Sequence, residues 1–292
     1  MSNAPTIAGP DPDTRTPQFT LPPGSCDAHC HIFGPASRYP YAADSSYTPP
    51  DAPLEMFQAL QRKLGIDRAV IVNASCHGTD NRPVTDAIAQ SGGRYRGIAT
   101  ITAEVTDREL RDLKEAGIDG CRFTFLRRLG RTPDLSAFHG IVERIAPLGW
   151  HVDVYLEPGS VEEFGPILRK LPVSYVIDHM GTAPAAEGVD AKGFQDLLEL
   201  LRTDEKCWVK VTGLERSTAV GAPFDDAVPL AAKLVETAPD RVLWGTDWPH
   251  PNLKRMPNDA DLVDVVPRYA RDEAVRHKLL VENPSRLYGF AA

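Results

Sequence analysis

Cysteine is scarce in this chain of 292 residues: Cys26, Cys30, Cys76, Cys121 and Cys207 are an odd number at scattered spacings. No CxxC pair or zinc-ribbon spacing occurs, so neither a disulfide framework nor a cysteine-rich metal knuckle organises the fold. The thiols read as small buried hydrophobes, and reduced thiols point to a cytoplasmic protein. Long apolar runs are missing too. No segment approaches the ~18 consecutive apolar residues of a membrane span. The polar, proline-rich opening lacks the charged-then-apolar order of a secretory signal. Basic runs are absent and the formal net charge is −8, which leaves no electrostatic footprint for nucleic acid. A few local arginines can still outweigh a weak global field, so a small anionic ligand remains compatible. No repeat of solenoid period is found.

What is present is an ordinary soluble composition, 42% hydrophobic and 25% charged, long enough to bury a full core without staples. Residues 1–23 carry six prolines and little periodicity, and are expected to form an extended arm. From residue 24 to 292 short apolar runs alternate with amphipathic stretches. The expected strands are 25–31, 68–74, 95–101, 119–125, 151–156, 173–178, 207–212 and 241–246. The expected helices are 53–64, 82–91, 106–116, 135–147, 160–170, 191–203 and 224–237, with further ones near 258–266 and 271–281. Thr106 to Glu109 and Ser160 to Glu163 have the spacing of capping boxes. Runs such as AVIV and VSYVI suit parallel strands buried on both faces. Eight βα units at this length favour a closed (β/α)8 TIM barrel as a single domain over a doubly wound open sheet.

In such a barrel, functional side chains gather at the C-terminal strand ends. The first strand ends in His29-Cys30-His31, and residues two apart on a strand face one way, so both imidazoles can converge on a metal ion or a carbonyl oxygen. The sixth ends in Ile177-Asp178-His179-Met180-Gly181. The eighth ends in Gly245-Thr246-Asp247-Trp248-Pro249, where an aspartate is well placed as a general base. Arg122 and Arg128 bracket the exit of the fourth strand. Arg216 follows the seventh, Tyr47 lies in the loop after the first, and Ser75-Cys76-His77 ends the second. His77, His250 and Asn252 are placed to line the mouth, whereas His139, His151 and His277 read as structural or surface residues.

The segments DAHCHIFG, IDHMG and WGTDWPHPN, together with ASCHGTDN, GCRFTFLRRL and NPSRLYGF, resemble the amidohydrolase superfamily. Within it they resemble its dicarboxylate-lactonase branch, the family of 2-pyrone-4,6-dicarboxylate lactonases. The resemblance covers nearly the whole chain after the arm. It implies an amidohydrolase-type barrel that opens a small anionic lactone, in the bacterial breakdown of lignin-derived aromatics. It also implies that Arg122, Arg128, Tyr155 and Arg216 bind the substrate's two carboxylates, with Tyr47 and Ser75 assisting. A guanidinium suits this because it meets a carboxylate in two parallel hydrogen bonds. The expected chemistry sets the lactone carbonyl against His29, His31 and His179 while Asp247 takes a proton from the attacking water.

Binuclear members of the superfamily place a lysine after strand four and a histidine after strand five, where this chain has Arg122 and Tyr155. A guanidinium repels a cation, so the expectation is a site without metal or other cofactor, with zinc or manganese as the alternative. The loop around Arg216, Thr-Gly-Leu-Glu-Arg, departs from the Cys-Pro-Asp-Arg-like stretch that the resemblance implies. That keeps open a sibling lactonase acting on 4-sulfomuconolactone or a sugar-acid lactone. A metal-dependent decarboxylase or amide hydrolase, and a non-catalytic protein that binds an anionic metabolite, are the remaining alternatives. Either a monomer or a homodimer is compatible with the sequence.

Overall fold

Each expected strand forms, and each pairs in parallel with the next one along the chain in the computed structural model, which describes residues 4–126 and 134–290. The strands are β1 (Cys26–Cys30), β2 (Arg68–Val72), β3 (Tyr95–Ala99), β4 (Ile118–Phe125), β5 (His151–Leu156), β6 (Tyr175–Ile177), β7 (Cys207–Val211) and β8 (Val242–Trp244). β6 and β8 are three residues each, shorter than their apolar runs, because the chain leaves the ladder just before Asp178 and Asp247. Helices α1 (Leu54–Leu64), α2 (Arg82–Ala89), α3 (Asp107–Glu115), α4 (Leu135–Ile145), α5 (Val161–Leu168) and α6 (Lys192–Thr203) follow the first six strands in turn. A short α7 (Leu214–Ser217) and then α8 (Val228–Thr237) follow β7, and α9 (Asp259–Asp264) opens the helical segment after β8. The molecule is a (β/α)8 TIM barrel.

Thr106 completes its capping box with Glu109. Ser160 makes no side-chain cap hydrogen bond, contrary to the motif. Its backbone is already helical at φ −74°, ψ −6°, whereas a capping hydroxyl reaches the first turn from an extended residue. All five cysteines are free and buried. No helix among the described residues is long and apolar enough to cross a membrane.

The wall has two faces, and its residues sort by them. Ala69 and Ile71 of β2 join the large core shared with the helices, while Val70 and Val72 join a smaller cluster with Val176, Trp208 and Leu243 inside the barrel. Residues in register across parallel strands share a face, so Arg122 and Asp153 point inward beside Val176, and Lys210 beside Leu243. β1 carries one extra residue against β2: Asp27 faces Ala69, but Cys30 already faces Ile71. This bulge reverses the alternation. Cys26 and Ala28 pack inside, whereas Cys30 packs outside, and His29 and His31 both turn inward.

β8 meets β1 without a regular ladder. The Asp247 amide donates to the His29 carbonyl at 2.8 Å, and the His31 amide to the Trp248 carbonyl at 2.7 Å. Buried Asp27 accepts from the Thr246 amide at 3.0 Å, the Thr246 hydroxyl at 2.6 Å and the His29 amide at 3.1 Å. The seam is so close at Gly245 that a Cβ would stand 2.7 Å from the His29 nitrogen. The arm contributes no helix or strand in its described part. It bridges Thr6 to Thr48 in the loop after β1, and Arg15 pairs with Asp261 and Asp264 at α9.

Candidate active site

The strand ends enclose a cavity of about 360 Å³ lined by His31, Tyr47, Ser75, Arg122, Tyr155, His179, Arg216, Asp247 and Asn252, together with Ser46, Thr124, Leu126 and Pro251. Leu126, Tyr155, Arg216 and Asn252 also border a wider adjoining cavity of about 840 Å³. Nine of the thirteen residues singled out in the sequence therefore meet in one place. His29 is fully buried and forms the layer beneath the lining. His77 turns away: its Nε2 accepts from the Gly34 amide at 3.2 Å and its ring packs on Tyr41. Arg128 lies outside the described residues.

Several lining residues sit on strained backbone. His179 (φ 50°), Asp247 (φ 63°) and Asn252 (φ 63°) are all in the left-handed region, which costs non-glycine residues energy and clusters at functional sites. Gly213 supplies a positive φ of 80° at no such cost and starts α7, the turn that presents Arg216. A Cβ on Gly213 would approach the His179 Cβ to 3.0 Å.

Oδ1 of Asp247 is the focus of the site. It lies 3.4 Å from His31 Nε2, 3.6 Å from His29 Nε2 and 3.9 Å from His179 Nε2. Oδ2 accepts from Arg216 Nε at 2.5 Å and also contacts Nη2, which donates to the Pro251 carbonyl at 3.0 Å. Burial alone would push the Asp247 carboxyl up, but the Arg216 guanidinium and the imidazoles hold it well below the usual carboxylate range. Burial, opposed by Asp247 and Asp178, lowers His179 to about 4. His31 Nδ1 stands 2.8 Å from the Val72 carbonyl. A carbonyl only accepts, so this nitrogen carries the hydrogen and the neutral ring presents a lone pair at Nε2. His179 Nδ1 contacts the Thr212 hydroxyl at 2.8 Å.

Arg122 donates from Nε to Asp178 Oδ2 at 2.7 Å, and its guanidinium carbon lies 4.8 Å from the centre of the Tyr155 ring. So anchored, Arg122 lines the cavity. Tyr47 is buried and receives the Ser75 hydroxyl at 3.3 Å.

Beneath the cavity is a layer that the sequence reading did not assign. Lys210 of β7 is fully buried and bonds Asp153 of β5; it also lies 3.2 Å from Asp178 Oδ1 and 3.1 Å from His29 Nδ1. Burial lowers the Lys210 ammonium's affinity for its proton, but the two carboxylates raise it above the ordinary lysine value. The signal that could have found this layer is a lone charge inside an apolar strand, in CWVKV and in HVDVYL. His250, expected to line the mouth, lies instead behind Asp247, fully buried and outside the lining of both cavities. His250 Nε2 is 2.9 Å from Asp259 Oδ1, and burial notwithstanding, Asp259 and Glu215 raise this imidazole to about 10.

Among the described residues, three sets of buried donor atoms approach one another closely enough to be considered for a cation: His29, His179 and Asp247; His29, Asp153 and Asp178; and Glu215, Asp247 and His250. In each, a fixed cation already stands against a carboxylate: Arg216 at Asp247 and Glu215, Lys210 at Asp153 and Asp178, and Arg122 also at Asp178.

The amidohydrolase family model matches residues 26–290. A 2-pyrone-4,6-dicarboxylate hydrolase of Comamonas testosteroni is 45% identical, over 93% of this chain and 92% of that protein. A 4-sulfomuconolactone hydrolase of Hydrogenophaga intermedia is 40% identical, over 99% of this chain and 96% of that one. Among solved structures, a probable 2-pyrone-4,6-dicarboxylic acid hydrolase of Acinetobacter baumannii with bound citric acid superposes with a TM-score of 0.80 at 25% identity, covering 91% of this chain and all of that one at 100%.

Proposed function

The chain belongs to the amidohydrolase family, and we propose that it is a carboxylic ester hydrolase that opens the lactone ring of 2-pyrone-4,6-dicarboxylate to 4-carboxy-2-hydroxymuconate. The observation that carries this reading is the convergence of Asp247 and the imidazoles with Arg122, Tyr47, Ser75 and Tyr155 around one small cavity. It is supported by the 45% identity to the Comamonas testosteroni hydrolase.

The lactone carbonyl lies against His179, whose Nε2 carries a hydrogen when the Thr212 hydroxyl donates to Nδ1. The terminal nitrogens of Arg122 hold a ring carboxylate. Asp247 takes a proton from water as the water attacks the carbonyl carbon. The tetrahedral intermediate collapses and expels the ring oxygen as an enol. The leaving oxygen takes the proton back from Asp247, directly or after its transfer from Asp247 Oδ1 to the His31 Nε2 lone pair 3.4 Å away. His29 lies too deep to touch the carbonyl and His31 turns a lone pair to the site, so the hydrogen-bond donation first assigned to three imidazoles falls to His179. Ring opening creates a carboxylic acid that ionises, so hydrolysis is more complete at high pH and lactone formation is favoured at low pH.

The residues present fit a divalent cation poorly. Lys210, Arg122 and Arg216 balance Asp153, Asp178 and Asp247, so with neutral imidazoles an added ion would leave two uncompensated positive charges in a buried layer. The reading is therefore of a metal-free hydrolase. An ester carbonyl is reactive enough to be attacked with hydrogen-bond donors in place of a Lewis acid.

The test is the initial rate of 2-pyrone-4,6-dicarboxylate loss by ultraviolet absorbance, with chelator-treated, metal-analysed enzyme. Rapid loss without metal is expected. Strict dependence on stoichiometric zinc or manganese overturns the metal-free reading. A second substrate, 4-sulfomuconolactone, is tested in parallel, because similarity to the Hydrogenophaga intermedia enzyme extends over 99% of the chain, the arm included. Turnover of that lactone alone moves the assignment to the sibling activity.

A further inference from the structure

An ammonium group has three hydrogens and no lone pair. Any atom that hydrogen-bonds to it must accept, and this makes Lys210 informative about its neighbour. Lys210 Nζ hydrogen-bonds to His29 Nδ1 at 3.1 Å, deep in the barrel where both side chains are fully buried. The competing partner, Asp178 Oδ1, stands farther from the same nitrogen, at 3.3 Å, and lies 3.2 Å from the Lys210 ammonium, which can supply it with a hydrogen. His29 Nδ1 therefore holds a lone pair toward Lys210, and the ring hydrogen sits on Nε2.

His31 has the reverse arrangement, because its Nδ1 hydrogen is committed to the Val72 carbonyl. The two rings are 5.0 Å apart at 87°, and in their neutral forms one offers a hydrogen at Nε2 and the other a lone pair. Both Nε2 atoms face the same oxygen, Oδ1 of Asp247. A lone pair from each would oppose an ionised carboxylate. With His29 in the Nε2–H form, a hydrogen faces the carboxylate from below across 3.6 Å, which is longer than a hydrogen bond in the substrate-free site.

We propose that Lys210 is a positioning residue that fixes His29 as its Nε2–H tautomer, so that His29 presents a hydrogen to Asp247 from beneath the cavity. Asp153, bonded to the same ammonium, holds Lys210 in place. The functional consequence rests on the reading of Asp247 as the general base; the tautomer itself does not.

Nitrogen-15 NMR of histidine-labelled protein reads the tautomer directly, with His29→Asn supplying the assignment. The substrate-free protein is expected to show a pyridine-type Nδ1 and a pyrrole-type Nε2 for His29. A pyrrole-type Nδ1 overturns the proposal. In Lys210→Met the nearest partner of Nδ1 becomes Asp178, and the ring is expected to switch to the Nδ1–H form. Turnover should then fall by at least about tenfold in kcat, in line with the cost of a misassigned imidazole proton in hydrolytic triads, with KM nearly unchanged.

Lys210→Met leaves two carboxylates short of a cation and could fail to fold, so Lys210→Met/Asp153→Asn, which removes one charge of each sign, is made alongside. A folded double variant that keeps both the Nε2–H signature and the parental kcat overturns the proposal. If the chain proves to hydrolyse no lactone, the proposed function fails while the NMR result still decides the tautomer.

Discussion

Arg216 Nε stands 2.5 Å from Oδ2 of Asp247, while Oδ1 of the same carboxylate faces the imidazoles of His29, His31 and His179. The pairing keeps Asp247 ionised, but it also makes a weak base, since efficient proton transfer wants a pKa nearer the working pH. An anionic substrate that draws on Arg216 relaxes this restraint, because the guanidinium cannot serve two carboxylates equally.

Arg216→Met follows from that pairing. Removing the cation raises the pKa of Asp247, so the acid limb of kcat/KM should move to higher pH. In the parent enzyme, with Asp247 held low and His179 at about 4, the limb should lie near pH 4 or below. Profiles of kcat/KM against pH for both proteins give the comparison, and superimposable acid limbs would remove Arg216 from control of the base.

Asp247→Asn preserves size and loses the base. Turnover should fall by about 10²–10⁴-fold, the usual worth of a positioned general base, with lactone binding largely intact. Retained activity in the asparagine variant would transfer the proton to another group.

Arg122→Met should act mainly on binding. A charge-assisted hydrogen bond contributes roughly 1.5–3 kcal/mol, so KM should rise by about 10- to 100-fold, with a smaller change in kcat. Arg128→Met is expected to behave alike. A KM unchanged in either variant would take that arginine out of the carboxylate-binding set.

Asp27→Ala tests the seam between β8 and β1. It strips acceptors from the Thr246 and His29 amides, a loss on the order of 3 kcal/mol by denaturant titration. Burial raises the Asp27 carboxyl to about 7, against 3.8 for the ordinary group. Its stabilising contribution is thus complete below pH 3.8 and declines as pH rises through about 7. The gap between parent and variant should be widest in acid and narrow above neutrality. An equal gap at all pH values would mean that Asp27 stays in one protonation state.

The barrel and the rim of its site could be read from the sequence because local rules govern both. Eight apolar runs separated by amphipathic stretches need no knowledge of distant residues. His31, His179, Asp247 and Arg216 declare themselves by following strands, where a barrel collects its functional side chains. His77 follows the same rule and yet faces Gly34, because the short turn Ser75–His77 redirects it after β2.

What lies below the rim depended on the three-dimensional fold. A charge within a strand can face the helices or the lumen, and for Asp153 and Lys210 only the register with neighbouring strands decides. The phase of β1 is set by a bulge against β2, which is a property of two strands rather than of either sequence. The roles of His29 and His31 diverge although they stand two residues apart, since one ring meets an ammonium from β7 and the other a carbonyl from β2. Sequence determined which side chains are available and on which strand each one lies. The tertiary structure decided which nitrogen of each ring bears its hydrogen, because that depends on partners brought together only when the barrel closes.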